Sequence, residues 1–143
     1  MAQEHKELLL KDLSARLPYG VKLQKTYDTS EPAELYSIDL DDFYCKIQFY
    51  TYKGKALTAS EEGKLLKPGG KLRFKPYLFP MSSMTEEQKI IYGDLCYAII
   101  HSLAWDMQAA LNELVDWLNK NHFDYNNLIP MGLANDCTNL NIY

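Results

Sequence analysis

Three histidines (His5, His101, His122) and three cysteines (Cys45, Cys96, Cys137) are the side chains best suited to nucleophilic or metal chemistry. No two of them stand at a zinc-ligand separation, so the pattern predicts no metal site. Cys96, His101 and Asp106 follow at intervals of five, an arrangement that invites a thiol-nucleophile reading. At about 100° per residue, however, Cys96 and His101 lie roughly 140° apart around a helix and do not face each other. They read as a buried thiol and a helix-flank histidine. Asp39, Asp41 and Asp42 gather carboxylates of the kind that hold Mg²⁺ or Ca²⁺, yet no glycine or glutamate stands where a calcium loop needs one. A solvated turn explains them. Lys67-Pro68-Gly69-Gly70-Lys71 approaches a phosphate loop, but Leu72 replaces the hydroxyl that would reach magnesium. No catalytic residue, cofactor or metal is therefore assigned.

A binding surface is the stronger candidate. Tyr44, Lys46, Tyr50 and Tyr52 share one alternation, and Lys53, Lys55, Lys71 and Arg73 follow in a basic stretch. Residues 53–75 hold seven basic against two acidic side chains, a net of +5 in a chain of −4, so the remainder carries −9. Aromatic rings interleaved with cations bind single-stranded nucleic acid by stacking and phosphate neutralisation. The same composition describes a protein interface.

The elements that must position these residues begin with a helix over 3–17. Leu9, Leu10, Leu13 and Leu17 make its apolar stripe, with Glu7, Lys11 and Arg16 off it, and Pro18 stops it. Short alternating segments over 21–52 predict strands joined by tight connections at 28–32 and at Asp41-Asp42, hence an antiparallel meander. Residues 53–70, rich in glycine and lysine, predict a flexible basic loop with room for one turn of helix near Ser60 to Leu66, and 72–74 an edge strand ended by Pro76. Pro76 to Pro80 reads as an extended crossing. Ser83 with Glu86, or Thr85 with Gln88, forms a capping box opening a helix over 85–101. A break at 102–106, with Ser102 or Asp106 as cap, separates it from a second helix over 106–121. That helix is expected to bury Met107, Ala110, Leu111, Leu114, Val115 and Leu118. Residues 122–143 form a packed tail, and Trp117, His122, Phe123 and Asp124 could form a site but are explained more simply as its anchor. The expected fold is α+β: a three- to four-stranded antiparallel meander against one N-terminal and two C-terminal helices.

A chain of 143 residues, 47% hydrophobic and 24% charged, suits a single globular domain with an unstapled core. Its polar start lacks the apolar run of a signal peptide, and no segment has the roughly 18 apolar residues of a membrane span. Three dispersed cysteines read as free thiols of a reducing cytoplasm. The acidic total disfavours general nucleic-acid binding.

Three blocks carry a resemblance: KELLLKDLSARLPYGV at 6–21, KPYLFPMSSMTEE at 75–87 and DWLNKNHFDYNNLIPMGLA at 116–134. Together, over about 50 of 143 residues, they resemble a family of small uncharacterised proteins of phages and prophages of gut anaerobic bacteria. The resemblance implies an accessory protein of the bacterial cytoplasm, binding a host or phage protein, itself, or a nucleic acid. It brings no activity with it, and catalysis ranks below binding.

Overall fold

The computed structural model describes residues 2–26, 32–41, 44–53, 56–64, 71–103 and 105–143, with backbone alone over 39–41, 44–53 and 56–64. The first helix, α1 (Gln3–Arg16), turns Lys6, Leu9, Asp12, Leu13 and Arg16 inward at spacings of three and four. Arg16 was expected off the buried face. It lies wholly inside because Asp12, one turn earlier, neutralises it. A 3₁₀ turn with Pro18 follows α1 and closes on Gly20 at φ +68°, where a Cβ would lie 3.1 Å from a Glu34 carboxylate oxygen. Glycine suits both demands.

Five strands follow: β1 (Lys22–Lys25), β2 (Ala33–Asp41), β3 (Tyr44–Lys53), β4 (Ala56–Lys64) and β5 (Phe74–Pro80). Their order in the sheet is β4-β3-β2-β1-β5, all neighbours antiparallel. Two strands of two residues, β6 (Phe123–Asp124) and β7 (Asn135–Asp136), join β5 in parallel. The fold is α+β as expected, but its sheet is mixed and not an antiparallel meander. β5 crosses back to pair with β1, and the tail lines its other side.

Two local expectations change with this. Ala56–Lys64, expected within a flexible loop, is a strand in register with β3. Its Ala-Leu-Thr-Ala-Ser-Glu-Glu sequence has little strand character, and pairing with a neighbour overrides such weak preference. Of the expected 72–74 edge strand only Phe74 lies in β5, where it and the extended crossing form one inner strand that continues through Pro76. Proline is tolerated because pairing with β7 begins only at Tyr77, leaving one side of β5 open at residue 76. The turns expected at 28–31 and at Asp42, and the Lys67–Gly70 segment, lie outside the described residues.

The main core joins Leu9 and Leu13 of α1 to Val21, Leu23, Leu35, Phe74 and Leu78 of the sheet, with Leu128, Leu133 and Ala134 of the tail. A second cluster, Met84, Leu118 and Phe123 with Phe79, Tyr92, Leu114 and Trp117 around them, attaches the later helices. These are α2 (Glu86–Ile100) and α3 (Met107–Lys120), packed together as a hairpin.

Thr85 caps α2. Gln88 N–H donates to its hydroxyl at 3.2 Å, and Thr85 N–H donates to the Gln88 side chain at 2.9 Å. Thr85→Ala should therefore cost about 1 kcal/mol, read as a lower urea midpoint at unchanged slope. Asp106 stands before α3 but makes no side-chain cap bond.

Candidate functional site

The tyrosine-rich set lies along β3, the strand between β2 and β4. Register places Tyr44 opposite Asp41, Lys46 between Asp39 and Lys64, and Tyr50 between Glu34 and Ser60. Tyr52 stands opposite Leu57, Lys53 opposite Ala56, and Lys55 is outside the described residues. Lys71 is exposed and Arg73 half-buried just before β5, where Thr26 N–H donates to the Arg73 carbonyl at 2.9 Å. β5 is three strands from β3, roughly 14 Å at about 4.8 Å per strand. The fold thus divides the set: four tyrosine and lysine positions on one strand with acidic positions beside them, and Lys71 with Arg73 on the far side of β1 and β2.

A second concentration of chemistry is the polar network beneath the tail, which includes the expected anchor residues His122, Phe123 and Asp124. Arg16 Nε donates to Asp12 Oδ2 at 2.7 Å, and Nη2 donates to Asp12 Oδ1 at 3.1 Å and to the Phe123 carbonyl at 2.6 Å. Asn126 donates to Asp12 at 2.8 Å, and the guanidinium lies 5.1 Å from the Tyr125 ring centre. The Tyr125 hydroxyl donates to Asn119 at 2.8 Å. Asp124 accepts the Leu128 and Ile129 N–H groups at 2.8 and 2.9 Å. Buried charges survive only when paired and hydrogen-bonded, and here the tail supplies the partners. The sequence points to His122, Phe123 and Asp124 but not to Asp12 and Arg16, whose i,i+4 spacing is the available signal.

His122 completes the network from the turn after α3, in the left-handed region at φ 60°. Its ring stacks on Tyr143, centroids 3.6 Å apart and planes at 12°. The Tyr143 hydroxyl donates to the Tyr77 carbonyl at 2.8 Å and accepts the Lys22 N–H at 2.9 Å. Burial first, then the Arg16 and Lys22 charges, push the His122 pKa down to about 4. Burial, followed by Asp136, pushes the Cys137 thiol up to about 11. At neutral pH the imidazole is uncharged but a weak base, and the thiol holds its proton. Neither is tuned as a general base or nucleophile. Arg16 Nη1 and His122 Nδ1 are buried without a hydrogen-bond partner among the described residues. Every other polar contact named serves to hold the tail down.

No family model, curated protein or solved structure matches the chain. The site must therefore be read from its own geometry. Among the described residues no His, Cys, Asp or Glu side chains cluster as metal ligands, and no helix is long and apolar enough to cross a membrane. Cys96 is half-buried, its thiol beside the Tyr92 hydroxyl, whereas His101 is exposed and lies against the Tyr97 ring at 4.0 Å.

The hairpin of α2 and α3 is the third feature. α2 buries no residue at all. Ile90, Ile91, Tyr97 and Ile100 on α2, and Met107, Leu111 and Val115 on α3, are exposed, as are Leu103 and Trp105 at the tip. Trp105 is 78% and Ile100 76% accessible. The expectation that Met107, Leu111 and Val115 are buried is corrected. Of the six residues assigned to that face only Leu118 is fully covered, because the sheet and tail reach only the base of α3. In the sequence Ile91, Leu95, Ile99 and Leu103 fall on one stripe along α2 and just past it, yet Leu95 and Ile99 are only half-buried and Ile91 and Leu103 are exposed.

Proposed function

We propose that this chain is a non-enzymatic protein-binding module, an accessory protein of the phage or prophage kind working in the bacterial cytoplasm, and that it binds through the α2–α3 hairpin. The carrying observation is the exposure of nine large apolar side chains on that one hairpin. They lie on several sides of the hairpin, and by their exposed fractions the six at its tip and along one side present about 700 Å², against about 300–600 Å² for the largest patch on a typical monomer. Such a surface marks a protein contact. The nucleic-acid alternative has less behind it, because Lys71 and Arg73 stand apart from the tyrosine strand and acidic positions flank Lys46 and Tyr50.

A photo-reactive benzoylphenylalanine at position 105, compared with one at position 71, tests the choice in cells producing the chain. Protein adducts should form from 105 and be absent from 71. Adducts confined to 71, or adducts at 105 that survive Ile100→Glu unchanged, would count against the hairpin. A salt-sensitive gel shift abolished by Lys71→Glu with Arg73→Glu would favour nucleic acid instead.

A further inference from the structure

We infer that the hairpin's occupant is the hairpin of a second copy of this chain, the two closing a four-helix bundle across a twofold axis. This rests on the reading of the hairpin as the binding surface. α2 is a helix of 15 residues with no buried residue, and helices of that length are marginal in water without packing on an apolar face. The hairpin therefore needs a cover from the moment it forms. Only another copy is present at that moment in equal amount, and twofold homodimers are the commonest assemblies.

Area agrees. The tip and one side of the hairpin, Ile100, Leu103, Trp105, Met107, Leu111 and Val115, offer about 700 Å², close to the roughly 800 Å² each partner contributes to a standard stable interface.

Charge and shape agree as well. With Tyr92, Leu95 and Ile99 toward α3, helical periodicity turns Gly93, Cys96 and Ile100 to one side of α2. The antiparallel partner brings Leu111 and Val115 to that same side. Two charged residues lie in this stripe, Lys89 and Glu86, already paired with each other at 2.9 Å. Glu87, Asp94, Glu113 and Asp116 point elsewhere by the same periodicity, so the one carboxylate α2 carries into the contact, Glu86, arrives already paired with Lys89. Gly93 is the sharper sign. Glycine weakens a helix interior, and a Cβ built at Gly93 meets nothing within 4 Å in its own chain. Its own chain has no use for the gap, whereas a second helix approaching closely does.

Light scattering and sedimentation of the full chain test this. Twice the 16.5 kDa chain mass is expected at micromolar concentration, falling on dilution. Gly93→Leu fills open space in the single chain, so it should fold yet associate at least tenfold more weakly, and Ile100→Glu likewise. Lys71→Glu, just before the start of β5, whose other end leads to α2, should leave association unchanged. Amide exchange across 90–111 should slow at least tenfold as wild-type concentration rises, a reading that needs no variant. A 16.5 kDa particle at tens of micromolar, with concentration-independent exchange, overturns the pairing. So does a dimer indifferent to Gly93→Leu and Ile100→Glu, or a monomer that binds vesicles through the hairpin. In the monomer case, adducts from position 105 to a different protein leave the protein-binding reading standing, and their absence removes both.

Discussion

Asp12→Ala should lower the stability of the fold by about 3–5 kcal/mol, the range for removing one partner of a buried ion pair. Asp12 is 1% accessible, and its carboxylate receives two bonds from Arg16 and one from Asn126. Its loss strands a guanidinium that is itself fully buried, against the Phe123 carbonyl and the Tyr125 ring. Since domains of this size are stable by only about 5–15 kcal/mol, one substitution removes a large share. Urea unfolding should show a lower midpoint at unchanged slope. Replacing both partners, Asp12→Leu with Arg16→Met, should cost less than Asp12→Ala alone, because no unpaired charge remains. A double variant as unstable as the sum of the single ones would show that the network's worth lies in packing, not in charge compensation.

Acid should loosen the same region through His122. Its folded pKa is about 4 against 6.5 in the unfolded chain, so between these values the unfolded chain binds the proton more readily. The stability that comes from keeping the ring neutral is complete above about pH 6.5. It declines as pH falls toward 4, by at most about 3 kcal/mol, and does not decline further below that. The groups facing the ring explain the direction: Tyr143 stacks on it, and Arg16 and Lys22 are the nearest charges, both positive. His122→Asn keeps a side chain that tolerates the left-handed backbone and removes the titration. Across pH 7 to 4 the variant should lose about 3 kcal/mol less than the wild-type chain. Parallel stability profiles would place the acid sensitivity on other groups.

Loss of the tail's anchor and loss of the hairpin's cover should be separable. The polar network lies beside the core formed by α1, the sheet and the tail, and the exposed apolar surface lies out along α2 and α3. Effects of Asp12→Ala on unfolding and of Gly93→Leu on association should therefore combine without much coupling, as distant sites do.

By itself the sequence determined the elements whose causes are local. The leucine spacing and Pro18 define α1, a capping box opens α2 (Thr85–Gln88 of the two the sequence allows), and the apolar residues after Asn121 require a tail that packs down. These depend on neighbours within one or two turns, so periodicity and capping suffice. Strand pairing is not local. Ala56–Lys64 becomes a strand because β3 lies beside it, and β5 joins β1 across some fifty residues of intervening chain, which no alternation pattern specifies. The same limit applies to the candidate sites. The tyrosines and cations read as one surface are divided by the sheet order, and Arg16, outwardly a solvent residue, is buried because the tail and Asp12 meet over it. An apolar stripe tells that a helix wants covering; only the tertiary structure tells how much cover its own chain provides. For α2 and the outer half of α3 it provides little, and that shortfall makes the hairpin the surface to test.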